Sequence, residues 1–355
     1  MNAAEDFVGT RPVADAHRFD VAALERYLGT RIERFRGPLA VEQFNGGQSN
    51  PTYRLSAGGR SYVLRRKPPG RLLPSAHAVD REYRVISALA PTGVPVARAY
   101  CLCEDESVIG TAFYVMDFVA GRIFWDPRLP GIAREERHAI FDELNRVIAA
   151  LHSVDYAAIG LADFGKPGNY FVRQIDRWSR QYKASETDPI EAMDRLIEWL
   201  PRNIPAGERT TIVHGDYRLD NVIFHPTEPR ILAVLDWELS TLGHPMADFS
   251  YHMMAWRLAA DEFRGLRGVD YEALGIPSED AYLDLYLRRT GAAERPSARA
   301  WSFYLAYNLF RLAAILQGVM ARALAGNAAS AKAQDAGRRA RPIAELGWQE
   351  VERSA

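Results

Sequence analysis

The chain has 355 residues, 48% of them hydrophobic and 25% charged, with a formal net charge of −1. That length exceeds the usual single core and predicts two lobes, and the composition is that of a soluble globular protein. The near-neutral balance excludes a nucleic-acid or membrane partner held by bulk electrostatics. Its two cysteines, Cys101 and Cys103, exclude a disulfide framework or a four-ligand zinc site and read as reduced thiols packed near a strand.

The first 30 residues lack the apolar core of a signal peptide, so a cytoplasmic location is expected. Residues 20–28 read as an amphipathic helix capped by Asp20. A strand, a turn and a strand follow over 41–56, with Gly46, Gly47, Ser49 and Asn50 in the turn. A glycine pair lets backbone N–H groups approach a phosphate, although a plain hairpin is the other reading. Residues 60–66 give a third strand with Val63 and Arg65 on one face, because side chains alternate. Residues 75–89 read as a helix whose stripe is Val79, Tyr83, Ile86 and Leu89, with Glu82 beside it. The segment 93–97 is expected to begin the next strand, and 113–118 forms another, followed by Gly121.

Beyond that point the apolar period changes from two to 3.6. Residues 134–152 place Ile140, Phe141, Leu144, Val147, Ile148 and Leu151 on one helical face. Helices are also expected over 175–182 and over 189–200, the latter with Met193, Leu196, Ile197 and Leu200 inward. A mainly helical region runs from Pro245 to about Gly326. Its apolar stretch 301–320 has Arg311 at the middle, which would cost about 2.5–3.5 kcal/mol in a bilayer, so a buried helix is predicted. The Ala- and Arg-rich stretch 321–341 reads either as a docked helix or as a mobile tail.

Between these helical regions lies the segment that carries chemistry. Ile212-Val213-His214-Gly215-Asp216 leads to Asn221, and the apolar run Leu232-Ala233-Val234-Leu235 ends in Asp236. Metal-assisted phosphoryl transfer needs such a set: a carboxylate to take the proton of an incoming hydroxyl, and an amide and a second carboxylate to hold Mg²⁺ against nucleotide phosphates. Asp216 is the expected base and Asn221, five positions later, and Asp236 are the expected metal ligands. His214 reads as structural, Asp220 as a turn cap, and Asp248 either as a helix N-cap or as an anchor for the loop.

His214-Gly215-Asp216, Asn221 and Leu235-Asp236-Trp237-Glu238 together resemble the motif of the aminoglycoside phosphotransferase and choline kinase group. Those enzymes are similar to protein kinases, whose loop has Arg where Gly215 stands and Phe-Gly where Trp237-Glu238 stands. The stretches 46–50, 62–70 and 239–245 most resemble the kinase-like domain fused to certain acyl-CoA dehydrogenases, and the resemblance spans roughly residues 30 to 320. It implies an α+β, protein-kinase-like fold: an antiparallel-sheet N-lobe over 1–118 and a mostly helical C-lobe over 119–355, with ATP and Mg²⁺ in the cleft. It also implies that Arg65 replaces the usual phosphate-binding Lys and pairs with Glu82, with Lys67 on the same face as the alternative; the other reading of Glu82 is an exposed helix carboxylate paired with Arg81 or Arg84. The backbone of Asp117 and Val119 would meet the adenine, and Arg218 would steady the migrating phosphate.

The partner is then a small-molecule alcohol, with neither nucleic acid nor membrane. A polycationic aminoglycoside would call for a carboxylate-rich C-lobe, yet 251–320 holds eight Arg against eight acids. The aromatics there, including Tyr251, Trp256, Trp301, Phe303 and Tyr307, suit an apolar channel for a hydroxyacyl-CoA, with core packing as the other reading. The remaining alternatives are a true aminoglycoside kinase and a nucleotide- or acyl-binding module without turnover.

Overall fold

The computed structural model describes residues 9–45, 50–68, 78–260, 264–326 and 333–353. The chain forms two compact units, one of Met1–Trp125, Ile159–Leu161 and Asp220–Ser240, the other of Asp126–Ala158, Ala162–Leu219 and Thr241–Ala355.

Among the described residues the first unit carries a six-stranded antiparallel sheet. Its strands are β1 (Thr10–Arg11), β2 (Ala40–Phe44), β3 (Thr52–Ala57), β4 (Arg60–Arg66), β5 (Ala99–Cys103) and β6 (Phe113–Asp117), in the order β1-β2-β3-β4-β6-β5. The β3–β4 turn is tight because Gly58 and Gly59 both take positive φ. Helix α1 (Val21–Arg31) starts where expected, with Asp20 accepting from the Ala23 N–H at 2.9 Å. Leu24 and Leu28 are fully buried on the sheet with Tyr53, Leu55 and Phe113. Each such leucine stabilises the fold by about 1.5–3 kcal/mol. Cys101 and Cys103 are buried free thiols in β5.

No strand forms over 93–97; β5 begins at Ala99. Pro95 has no N–H to give a ladder, and its carbonyl instead accepts from Val234 N at 2.9 Å. That bond is one of several that bring 220–240 into the first unit, so the unit is not a contiguous block ending at 118. Strands β8 (Val222–Phe224) and β9 (Ile231–Val234) pair with each other, and Arg122 bridges to Phe224. Gly121 permits this approach, since a Cβ there would lie 2.2 Å from the Phe224 carbonyl. Helix α2 (Val79–Leu89) covers the sheet with Val79, Val85, Ile86 and Leu89 buried.

Among the described residues the second unit is mainly helical, with β7 (Thr211–Val213) paired with β10 (Thr241–Gly243). Helix α3 (Arg134–His152) buries all six residues of its expected stripe. Then come α4 (Tyr170–Ala184), α5 (Glu191–Trp199), α6 (Pro245–Met253), α7 (Glu279–Thr290), α8 (Ala298–Leu324) and α9 (Ala340–Glu352). Helix α8 is long and apolar enough to cross a bilayer, but 83% of its apolar window is buried in the protein. Most of the aromatics expected to line a channel, among them Trp256, Phe303 and Tyr307, are core residues. Within the 321–341 stretch the chain leaves α8 at Leu324, 327–332 lie outside the described residues, a short helix spans Ala333–Gly337 with both end residues buried, and α9 begins at Ala340, with Ala344, Leu346 and Val351 buried.

Candidate active site

Within the first unit, the β4 face and helix α2 bring Arg65 and Glu82 together. Arg65 Nε lies 3.1 Å from Glu82 Oε2, and its Nη2 lies 3.3 Å from Asp236 Oδ1. Glu82 is 1% exposed, and it also accepts from the Tyr114 hydroxyl at 3.0 Å and from the Asn50 amide at 2.8 Å. Burial opposes the charge on Arg65, yet Glu82, Tyr114 and Asp236 hold the guanidinium more firmly protonated than an ordinary arginine. Burial pushes the Glu82 carboxyl above its usual range, against the pull of Arg65. Glu82 therefore partners Arg65 and is not an exposed carboxylate. Lys67, two residues on, bonds through its backbone N–H to the Ala112 carbonyl at 3.1 Å.

Gly46, Gly47 and Ser49 lie outside the described residues. Asn50, expected over the phosphates, is fully buried and spends its amide on Glu82. It belongs to the support of the ion pair, because a buried carboxylate must find donors.

A cavity of about 370 Å³ lies against this cluster, walled by Val63, Ala97, Met116 and Ile223, with Arg65 and Asp236 among its polar lining. The 117–119 segment also borders it. The backbone N–H of Asp117 is taken by the Arg98 carbonyl at 2.9 Å, and its carboxylate accepts from the Tyr100 hydroxyl at 2.5 Å. The Asp117 N–H is therefore occupied within the sheet, while Asp117 and Val119 both border the cavity.

The β8–β9 hairpin aligns Val222 with Val234, and Leu235 N donates to Asn221 O at 2.8 Å. Asn221 and Asp236 therefore leave the same end of the hairpin. Asp236 takes φ +61, a conformation that costs a non-glycine residue about 1–3 kcal/mol and persists where the surroundings fix it. An amide oxygen and a carboxylate are hard donors that suit Mg²⁺, which binds through one or two carboxylates plus substrate phosphates and water. Among the described residues no group of three or more His, Cys, Asp or Glu could hold a metal.

Within the second unit, the loop after β7 is fixed at each residue. Asp248, buried in the first turn of α6, accepts from His214 N at 2.7 Å and Gly215 N at 2.8 Å, and His152 Nε2 lies 3.1 Å away. Asp248 is thus the anchor and not the N-cap, which is His244. Burial pushes the Asp248 carboxyl up, but His152 and His214 hold it below the usual value. His214 Nδ1 accepts from Asp216 N at 3.1 Å, and the Tyr217 hydroxyl donates to Leu144 O at 3.0 Å. Gly215 takes φ +84, a backbone that an arginine at this position would adopt only with strain. Arg218 Nε lies 3.2 Å from Asp216 Oδ1. Two groups to which the sequence assigns no part in the loop complete it: Arg311 donates to Gly215 O at 2.7 Å, and Tyr251, expected in an apolar channel, donates its hydroxyl to Asp216 Oδ1 at 2.5 Å. The signal for Tyr251 was its position three residues after Asp248, on the same face of a helix.

An antiparallel sheet with a paired Arg65–Glu82 in one unit and an anchored His-Gly-Asp loop on a helical unit define a kinase-like phosphotransferase fold. The chain belongs to the phosphotransferase enzyme family, whose model matches residues 40–301. A crystal structure from Ralstonia eutropha JMP134, provisionally described as an aminoglycoside phosphotransferase, is 59% identical with a TM-score of 0.88, covering 95% of this chain and 99% of that one. Acyl-CoA dehydrogenase family member 10 of Mus musculus is 49% identical over 342 residues, which is 96% of this chain and 32% of that protein. The chain thus spans about a third of that relative's length. Choline kinase from Cryptosporidium parvum Iowa II has a TM-score of 0.64 at 14% identity, covering 94% of this chain and 96% of that one, a likeness of fold alone.

Proposed function

We propose that the protein is a small-molecule kinase that moves the γ-phosphoryl group of ATP to an alcohol, with a hydroxyacyl-CoA as the leading acceptor. The observation that carries this reading is Arg65 held between Glu82 and Asp236 at the edge of an apolar cavity. Arg65 binds the α- and β-phosphates in bidentate fashion. Asn221 and Asp236 would hold Mg²⁺, which when bound would neutralise charge on the phosphates. Asp216 takes the proton of the acceptor hydroxyl as the new O–P bond forms and the β–γ bridge breaks, releasing ADP. Arg218 steadies the group in transit.

Charge and kinship favour this acceptor. The second unit holds a cavity of about 610 Å³ with Arg202, Arg209 and Arg299 against Glu294 on its wall. It opens beside His244, at one end of α6, and Tyr251, which reaches Asp216, stands near the other end. A basic cavity suits a phosphate-bearing carrier and opposes a polycation, and the mouse relative is named for acyl-CoA chemistry. Kanamycin and a 4-hydroxyacyl-CoA offered in parallel with labelled ATP distinguish the readings. Label is expected in the CoA ester; label in kanamycin alone would replace the acceptor and keep the kinase, and no turnover with either would favour a binding module.

ATP should bind weakly without divalent metal, because two protein oxygens make an incomplete shell and the phosphates would face Asp236 uncompensated. Calorimetry that gave equal ATP affinity with Mg²⁺ and with chelator would sink the metal assignment.

A further inference from the structure

Tyr251 is a group of the second unit that the reaction above leaves unused. Its side chain is buried, 7% exposed, and its hydroxyl meets Asp216 Oδ1 at 2.5 Å. That length belongs to charge-assisted O–H to carboxylate bonds, which are about twice as strong as neutral ones. Burial first, and then the Asp216 charge, push the ionisation of this phenol well above the usual tyrosine value. At neutral pH it donates.

One face of α6 grips the loop at two levels. Asp248 holds the backbone N–H groups of His214 and Gly215, and Tyr251, three residues on, holds the carboxylate. Arg311 secures Tyr251 in turn: it donates to Gly215 O, and its guanidinium lies 5.0 Å from the centre of the Tyr251 ring.

We propose that Tyr251 is a positioning residue for phosphoryl transfer: its hydroxyl sets the rotation of the Asp216 carboxylate that receives the acceptor's proton. The proposal rests on Asp216 being the base. The torsion that turns an aspartate carboxylate is broad and has no strong staggered preference of its own. A general base works only within hydrogen-bond reach of the proton it takes, and a misplacement of about 1 Å can cost about 10²-fold. Arg218 touches the same oxygen, but through a partly exposed, flexible side chain at a longer 3.2 Å. A short contact from a buried, rigid ring fixes the angle more tightly than that longer one.

The test is turnover of Mg·ATP by the full chain, read as released phosphate with water as acceptor. Tyr251→Phe should lower kcat by about tenfold, the scale of one hydrogen bond to a charged group, with KM for Mg·ATP within about twofold. In an Asp216→Asn background the same change should cost nothing further, because its effect passes through the carboxylate. Replacing Tyr251 by 3-fluorotyrosine, which keeps shape and hydroxyl, should leave kcat within about threefold of the parent. A wild-type kcat in Tyr251→Phe, a full loss that persists without Asp216, or a fluorotyrosine protein as slow as the phenylalanine variant would each overturn the proposal. Wild-type turnover in Asp216→Asn alone would instead remove the base assignment, a different and separately visible result.

Discussion

Replacing Asp216 by Asn should reduce phosphoryl transfer by about a hundredfold or more and leave ATP affinity within about twofold, because general-base catalysis contributes about 10²–10⁴. An amide has the shape of the carboxylate, and its oxygen can still accept from Tyr251, so the loop should keep its form. Its backbone anchors are untouched: His214 and Gly215 bond to Asp248, and Arg311 bonds to Gly215 O. What is lost is the capacity to take a proton. The groups proposed to hold Mg·ATP, namely Arg65, Asn221 and Asp236, belong to the other unit and are unaltered. Asp236→Asn should act in the opposite sense, weakening Mg·ATP binding before it changes the chemical step. Isothermal titration with a non-hydrolysable analogue, set beside steady-state rates, separates the two. Variants that matched in both affinity and rate would show that base and metal ligand have been assigned to the wrong residues.

The parts of this arrangement that were legible in the sequence are those with a local cause. Helix α3 could be read to within its ends because six apolar residues recur on one face. The Arg65–Glu82 pairing needed only a strand period, a helix period and the resemblance. Where two uses of one residue have equal local support, the sequence stays silent. Asp248 is well placed to cap α6 or to hold the loop, and the choice is made by His214 and Gly215, more than thirty positions away. Asn50 stood in a polar turn and reads as a loop residue, but the buried Glu82 needs a donor and takes its amide. Tyr251 reads as one aromatic among many, since its place three residues after Asp248 marks a helix face but not a carboxylate 35 positions earlier. Likewise the joining of 220–240 to the first unit depends on the Arg122–Phe224 bridge and the Pro95–Val234 bond, both long in sequence.

Replacing Arg65 by Met should destabilise the fold by about 3–5 kcal/mol, the cost of leaving a buried charge without its partner. Met fills much of the same volume, so the loss is mainly electrostatic. Glu82 would keep the Tyr114 hydroxyl and the Asn50 amide, but neither carries a charge. The effect should depend on pH, with a definite sign. Folding already raises the Glu82 value, burial being the main cause and Arg65 the main opposing pull. Removing Arg65 raises it further. A group that binds its proton more tightly in the native state adds stability that is fully present below the unfolded value, near 4.3 for glutamate, and is lost as pH rises through the folded value. The variant should therefore lie nearest to the parent in acid and fall away from it as the pH climbs above the unfolded value toward the alkaline range. Urea unfolding of both proteins across that range measures the difference directly. Adding Glu82→Gln should recover much of the loss and flatten the pH dependence, because the buried group is then neutral and still hydrogen-bonded to Tyr114. A deficit below about 1 kcal/mol, the worth of an exposed pair, or one unchanged with pH would mean that Glu82 is not a buried carboxylate held charged by Arg65.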